Sequence, residues 1–227
     1  MKKIFVSIVL VCFAVLTANA QMMRAEELEK YAKEKYGDKW VEAAENIKAQ
    51  VSLDKNNALT YTQVIPCPGK TAAQLYVLLN YWYTATFNDA NSVIKLNDKD
   101  LGCIIGEGYL NDIAGHAGGT NAYDVSIRPI IKTDIKDGKI RVTYTVPAYS
   151  VVVLQGGGIM GALAGTPATR SDETWAIDKC FPFVAKDGHK KTSAKAFVMT
   201  HAYSNVMMDK IEEAVKNGVS GNEDDNW

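Results

Sequence analysis

Leu59-Thr60-Tyr61-Thr62-Gln63-Val64-Ile65, then Pro66-Cys67-Pro68-Gly69, then Thr71 to Phe87, is the stretch on which the fold turns. The first seven residues are rich in β-branched and aromatic side chains, the composition of a strand. The turn ends that period and helical spacing replaces it, with Leu75, Leu78, Leu79, Trp82 and Tyr83 recurring at three- and four-residue steps. Thr71-Ala72-Ala73-Gln74 fits a capping box, in which the threonine accepts from the third helical amide and the glutamine reaches back. Asn88-Asp89-Ala90-Asn91 ends the helix.

Downstream the pattern is a run of strands. Ser92 to Leu96 is a short one, closed by the turn Asn97-Asp98-Lys99-Asp100. Leu101 to Leu110 is the next, with Leu101, Cys103 and Ile105 on one face. Gly102, Gly106 and Gly108 fall on the other and mark close packing or bulging. Asn111 to Asn121 reads as a loop carrying Gly115, His116, Gly118 and Gly119. Tyr123, Val125, Ile127 and Ile131 then alternate with polar residues, and Pro129, unable to donate to a ladder, implies an edge or a bulge. Asp137-Gly138 is a hairpin signal. After it Ile140, Val142, Tyr144 and Val146 face inward opposite Arg141, Thr143 and Thr145, and Tyr149 to Leu154 prolongs the strand. Period-two alternation predicts an antiparallel sheet covered on one face, with the Thr71–Phe87 helix as its cover. The fold class is α+β.

Upstream, Ala25 to about Gln50 predicts a packing helix broken near Gly37, with Asp38 as N-cap of its second half and Trp40, Val41, Ala44, Ile47 and Val51 as its apolar stripe. Thr192 to Asn217 predicts a final helix stopped by Gly218, with Phe197, Met207, Met208, Ile211 and Val215 on its apolar side. The chain divides into a signal peptide (1–20), an N-terminal helical segment (21–57), an α+β domain (58–154), a glycine-rich loop and irregular region (155–190), a C-terminal helix (191–218) and a polar tail (219–227). The signal is carried by Lys2 and Lys3, the apolar run Ile4–Leu16 and the small-x-small site Ala18-Asn19-Ala20. It predicts export to the periplasm or the cell exterior. Setting residues 1–20 aside leaves 23 of the 25 basic residues against 26 acidic ones, a net charge of −3. That charge gives no electrostatic reason to expect nucleic acid as a partner. No second apolar stretch is long enough to span a bilayer.

The strand Leu59–Ile65, the turn Pro66-Cys67-Pro68-Gly69-Lys70, the helix bearing Asn80-Tyr81-Trp82, the Asp100-Leu101-Gly102 step into a glycine-punctuated strand, and the Ile140–Val146 strand together resemble the domain of unknown function 4468 family of exported bacterial proteins. The resemblance covers about Leu59 to Val153. It implies a TBP-like fold, a curved antiparallel sheet with helices packed on one face, to which the N-terminal helical segment is added. It also implies a Gram-negative envelope. It brings no catalytic residues and does not bring DNA binding, because function lives in sites rather than folds. The exposed face expected from the alternation shows Thr143, Thr145 and Arg141 beside Asp124, Ser126 and Arg128, without a basic stripe or intercalating aromatics.

No catalytic, cofactor or metal constellation is legible. His116, His189 and His201 have no helical i, i+4 spacing, and no HExxH pattern occurs. His201 reads as a packing residue, and His116 as the histidine to test. Cys67, Cys103 and Cys180 permit at most one intramolecular disulfide, and buried free thiols are the commoner outcome. The candidate functional positions are loop residues: His116, Gly118 and Gly119 in the first loop, and Gly157, Ile159 and Met160 within Gly156–Gly165. The leading expectation is a non-catalytic binding or assembly module with an unknown protein or small-molecule partner. A thiol-dependent hydrolase using Cys67 is the first alternative, and a small-ligand carrier the second.

Overall fold

The computed structural model describes residues 23–87, 93–118, 121–156, 163, 165 and 169–218. The signal segment 1–20, the helix-ending residues 88–91 and the tail 219–227 lie outside the described residues. Among the described residues four α-helices and nine strands follow in order: α1 (Ala25–Tyr36), α2 (Trp40–Lys48), β1 (Leu59–Pro66), α3 (Ala72–Phe87), β2 (Ile94–Asp98), β3 (Cys103–Glu107), β4 (Leu110–Gly118), β5 (Asn121–Ile127), β6 (Ile130–Lys136), β7 (Lys139–Val146), β8 (Ala148–Gln155), β9 (Thr169–Ala176) and α4 (Lys190–Asn217).

All strand pairings are antiparallel, and the ladders form two sheets, β1-β7-β6-β3-β2 and β4-β5-β8-β9. A single sheet is what the alternation predicts. The two are continuous through the chain, since β3 runs into β4, β5 into β6 and β7 into β8. Each crossing has a residue that breaks a ladder: Gly108, Pro129 and Pro147. Gly108 N–H donates to the Pro129 carbonyl at 2.8 Å, tying two of the crossings together. Pro129 therefore marks a crease between two central strands rather than an edge.

The predicted inward set of β7 is buried, and Tyr149, Val151 and Val153 continue it on β8. The capping box of α3 forms as read, with Thr71 N–H donating to Gln74 Oε1 at 2.9 Å and Gln74 N–H to Thr71 Oγ1 at 3.2 Å. The Asp137-Gly138 hairpin is stapled to the same place: Ala72 N–H donates to Asp137 Oδ1 at 2.6 Å, and Gly138 N–H to the Lys70 carbonyl at 2.9 Å.

Two helices share the cover: α4 packs on α1, α2, α3, β1, β4, β5 and β7, and α3 packs on β6. Several expectations are corrected. Asn111–Asn121 is largely strand β4, with a bulge between Leu110 and Ala114 where Asp112 takes φ 54° and its N–H donates to Ser126 Oγ at 3.3 Å. Ser126 is thereby buried and does not belong to the exposed face. Within the region read as irregular, Thr169–Ala176 forms β9, a charged edge strand with no apolar alternation to announce it. The N-cap of α2 is Lys39, not Asp38. On β3 it is Ile104 and Gly106 that face the helix layer, while Leu101 is 78% exposed.

Gly106 shows why. A Cβ placed there would stand 2.6 Å from Tyr83 Cε1, and the Tyr83 hydroxyl donates to the Ile131 carbonyl at 3.1 Å. The missing side chain is the seat of a buried tyrosine. Gly106→Ala is expected to lower stability by about 1–3 kcal/mol through overpacking, measured as a shift in the urea midpoint, whereas Leu101→Ser leaves it within about 0.5 kcal/mol.

Candidate functional site at the rim of the second sheet

Across the β4-β5-β8-β9 sheet runs a row of rings drawn from four elements, from His116 and Tyr123 near the end where β8 finishes to Trp175, which pairs with Tyr149 near the start of β8. Antiparallel register sets His116 of β4 opposite Tyr123 of β5, and Tyr123 opposite Val153 of β8. The His116 and Tyr123 rings are 6.3 Å apart and stacked. On the far side Tyr123 meets the His189 ring at 4.7 Å, and His189 stacks on Trp175 of β9 at 4.6 Å with 11° between planes. The row thus runs His116, Tyr123, His189, Trp175, half-buried except for exposed His116.

Local chemistry fixes each ring. His189 is the N-cap residue of α4, and its N–H donates to Asp187 Oδ1 at 2.7 Å. The other oxygen of Asp187 accepts from Phe181 N–H at 2.8 Å. Burial works to raise the Asp187 carboxyl, but these bonds and the neighbouring Ser193 and His189 outweigh it and hold it below its usual range. Trp175 Nε1–H donates to Glu173 Oε2 at 2.9 Å, and Asn121 Nδ2–H to the Tyr123 hydroxyl at 3.4 Å.

Of the positions singled out by sequence, His116 joins this row and Gly118 closes β4 beside it. Gly119, Gly157, Ile159 and Met160 lie outside the described residues. Gly156, where the β8–β9 connection begins, and Gly118, where the β4–β5 turn begins, flank the same end of the sheet, since Asn121 pairs with both Gly118 and Gln155. The two loops are thus brought together although they are distant in sequence. Tyr123, Trp175 and His189 are the residues that sequence reasoning missed. The pairing of His116 with Tyr123 was readable only if the segment around His116 was taken as strand, and β9 carries no period-two signal.

Cys67 lies elsewhere. It ends β1 next to Pro66, which pairs with Lys139 at the start of β7, whereas Tyr123 pairs with Val153 near the end of β8. The chain between those two levels runs through β7, the Pro147 crossing and β8, a contour of about 46 Å at about 3.3 Å per residue. Cys67 is buried, with its Sγ donating to the Ile65 carbonyl at 3.6 Å. Burial pushes the thiol up, against the nearby Lys70 and Lys216 ammoniums, and no histidine is among the groups acting on it. Cys103 and Cys180 are likewise free and buried, and Cys180 is pushed up to about 11. No group of three or more metal-binding side chains occurs among the described residues, and no helix there is long and apolar enough to cross a membrane.

The other face of the first sheet is open. Its shallow hollow of about 200 Å³ is lined by Val64, Asp134, Lys136, Lys139, Ile140 and Arg141. Asp134 is claimed from both sides, by Lys132 at 2.8 Å and Arg141 at 2.7 Å. Lys136 and Lys139 add two further cations to the lining, so the hollow carries a net positive charge.

His201 sits in the middle of α4 between the rings of Tyr36 and Tyr61, at 5.5 and 5.4 Å, with Nδ1 3.2 Å from the Tyr61 hydroxyl. Burial first, and the Lys35 ammonium second, lower this imidazole to about 4.

Comparison with known proteins finds a family that part of the chain is similar to. A model described as "Domain of unknown function (DUF4468) with TBP-like fold" matches residues 61–150, the span from β1 to β8. Two solved structures are similar, each with a TM-score of 0.44 over 71% of this chain. One is a TBP-like protein from Parabacteroides distasonis ATCC 8503, at 10% identity over 95% of its length. The other is a DUF4468 family protein from Bacteroides ovatus ATCC 8483, at 15% identity over 89% of its length. No curated protein matches the chain.

Two measurements test these assignments. Native protein at neutral pH is expected to resist iodoacetamide at Cys67, Cys103 and Cys180, and to label at all three once denatured, as located by peptide mass mapping. Fast labelling of native Cys67 would reinstate a thiol mechanism. The second concerns pH. The folded His201 titrates below its ordinary 6.5, so between about pH 6.5 and 4 the unfolded chain takes up a proton that the fold refuses. Its contribution is complete above about 6.5 and declines as pH falls. Urea midpoints at about pH 7 and 5 are expected to differ less in His201→Gln than in the parent.

Proposed function

We propose that this chain is a non-catalytic binding module of the bacterial envelope, and that it engages its partner through the rim of the β4-β5-β8-β9 sheet. One observation carries the reading: two loops far apart in sequence leave the sheet at the same end, and from His116 and Tyr123 near that end a continuous row of rings from four separate elements runs to Trp175. Aromatic and histidine side chains presented at a rim offer large contact area at low cost in side-chain entropy, which is what recognition surfaces use. The backbone beneath them is held by the ladders of β5 and β8 and by the Asp187 bonds, so the surface is preorganised.

Against a hydrolase stand the buried, unactivated Cys67 and its place at the opposite end of the long strands from His116. Export is supported by the pattern of residues 1–20, with cleavage before Gln21.

Site-specific photo-crosslinking in cells tests both parts. A benzophenone amino acid replacing His116 or Trp175 is expected to give discrete adducts, on chains whose first residue is Gln21. The same group at the exposed Val77 of α3 is expected to give none. Equal adducts from all three positions, or adducts on chains that retain residues 1–20, would count against the proposal.

A further inference from the structure

A second concave site lies away from the rim, where α1 and α2 meet the middle of α4. We propose that this cavity is a binding site for a small organic carboxylate with a short apolar tail. It stands independently of the rim reading. Its volume is about 230 Å³, space for a ligand of roughly eight non-hydrogen atoms, taking liquid water's share of about 30 Å³ as the guide.

The lining is divided. Ala43, Ile47 and Val51 give an apolar side, with Ala43 and Ile47 buried. Lys35, Asn46, Gln50 and His201 give a polar side, and no carboxylate is among the lining residues. Lys35 makes no ion pair among the described residues. Its ammonium donates to the Tyr31 hydroxyl at 2.8 Å and lies over the Tyr31 and Tyr36 rings at 5.2 and 5.6 Å. It is thus a cation held in place by neutral groups, with its charge left for something else. That charge reaches His201, because it helps to keep the imidazole unprotonated.

The Tyr61 phenol engages one edge of His201, its hydroxyl 3.2 Å from Nδ1. The phenol is half-buried, and burial raises it far above its ordinary value. With the hydroxyl assigned as the donor to Nδ1, the ring's own proton sits on Nε2. The edge that Tyr61 leaves free is a donor. An Nε2–H and an ammonium without a carboxylate partner, beside an apolar wall, match a carboxylate head and a short tail. A metal cation would be repelled by Lys35. A neutral polar ligand would gain no ion pair from the exposed Lys35 ammonium.

The test follows the His201 ring by NMR in the full chain during titration with butyrate and benzoate, and with the matched neutral amides butyramide and benzamide. Saturable shifts with the acids and none with the amides are expected. Lys35→Gln is expected to weaken acid binding about tenfold or more, the loss of one charge-assisted contact, while Lys136→Gln in the first sheet's hollow changes nothing. Unchanged thermal unfolding of Lys35→Gln separates a lost contact from a lost fold. Lys35→Arg, which keeps the charge, is expected to retain binding where Lys35→Gln does not. Equal response to acids and amides, no saturable shift, or acid binding untouched by Lys35→Gln would overturn the proposal.

Discussion

The burial of α4 is the constraint on which the rest of this structure depends. At about 1.5 Å per residue its 28 residues span roughly 42 Å, and buried positions occur around most of its circumference. Small side chains make this possible: Ser193, Ala194, Ala196, Ala202 and Ser204 let neighbouring elements approach, while Phe197, Tyr203, Met207 and Ile211 fill the space between. Each large apolar side chain so buried contributes about 1.5–3 kcal/mol relative to exposure. Polar ties then set the helix's position along its axis. Lys195 pairs with Glu29 of α1 at 2.6 Å, Asn205 donates to the Tyr36 hydroxyl at 2.8 Å, and Gln63 of β1 donates to Glu212 at 2.8 Å. One rigid rod therefore places His189 at the sheet rim and His201 at the junction with α1 and α2, about 18 Å apart along its axis.

The sheets accommodate this rod by folding along a line. Gly108, Pro129 and Pro147 fall where the three long chain segments pass from one sheet to the other. A proline removes a ladder donor, so a proline between two central strands is tolerated only where the ladder is already interrupted. Gathering such residues on one line concentrates the loss of pairing where the direction changes, and leaves both ladders intact on either side. The outer edge at β9 is treated differently: it is exposed along most of its length and carries Arg170, Asp172 and Glu173, charges that discourage pairing with another chain.

What was legible in the sequence was whatever has a period or a cap. The alternation of β7, the hairpin at Asp137-Gly138, the capping box at Thr71 and the break at Gly37 each express a local rule, and each appears where that rule puts it. Failures came where tertiary structure overrode the local pattern. On β3 the glycines marked a face of close packing, but not the buried tyrosine ring that fills the room Gly106 leaves. Around His116 a glycine-rich composition suggested a loop, but Ser126 and the neighbouring ladder hold the segment as a bulged strand. For β9 there was no signal, because an edge strand with solvent on it has no need of apolar alternation.

The candidate site was half legible for the same reason. His116 was visible as an unusual residue in unusual company, but its neighbours were not, because adjacency across strands is a property of topology. In an antiparallel meander, β5 must begin at the end where β8 finishes, since the two run in opposite directions side by side. The turn before β5 and the connection after β8 are therefore obliged to emerge together, whatever their sequences. The same geometry sends the Asp137-Gly138 hairpin, and with it Cys67, to the other end of the long strands. A histidine and a cysteine, the residue types of a catalytic pair, are separated by the strand order itself. One arrangement thus keeps His116 and Cys67 apart and brings the ends of β4 and β8 together.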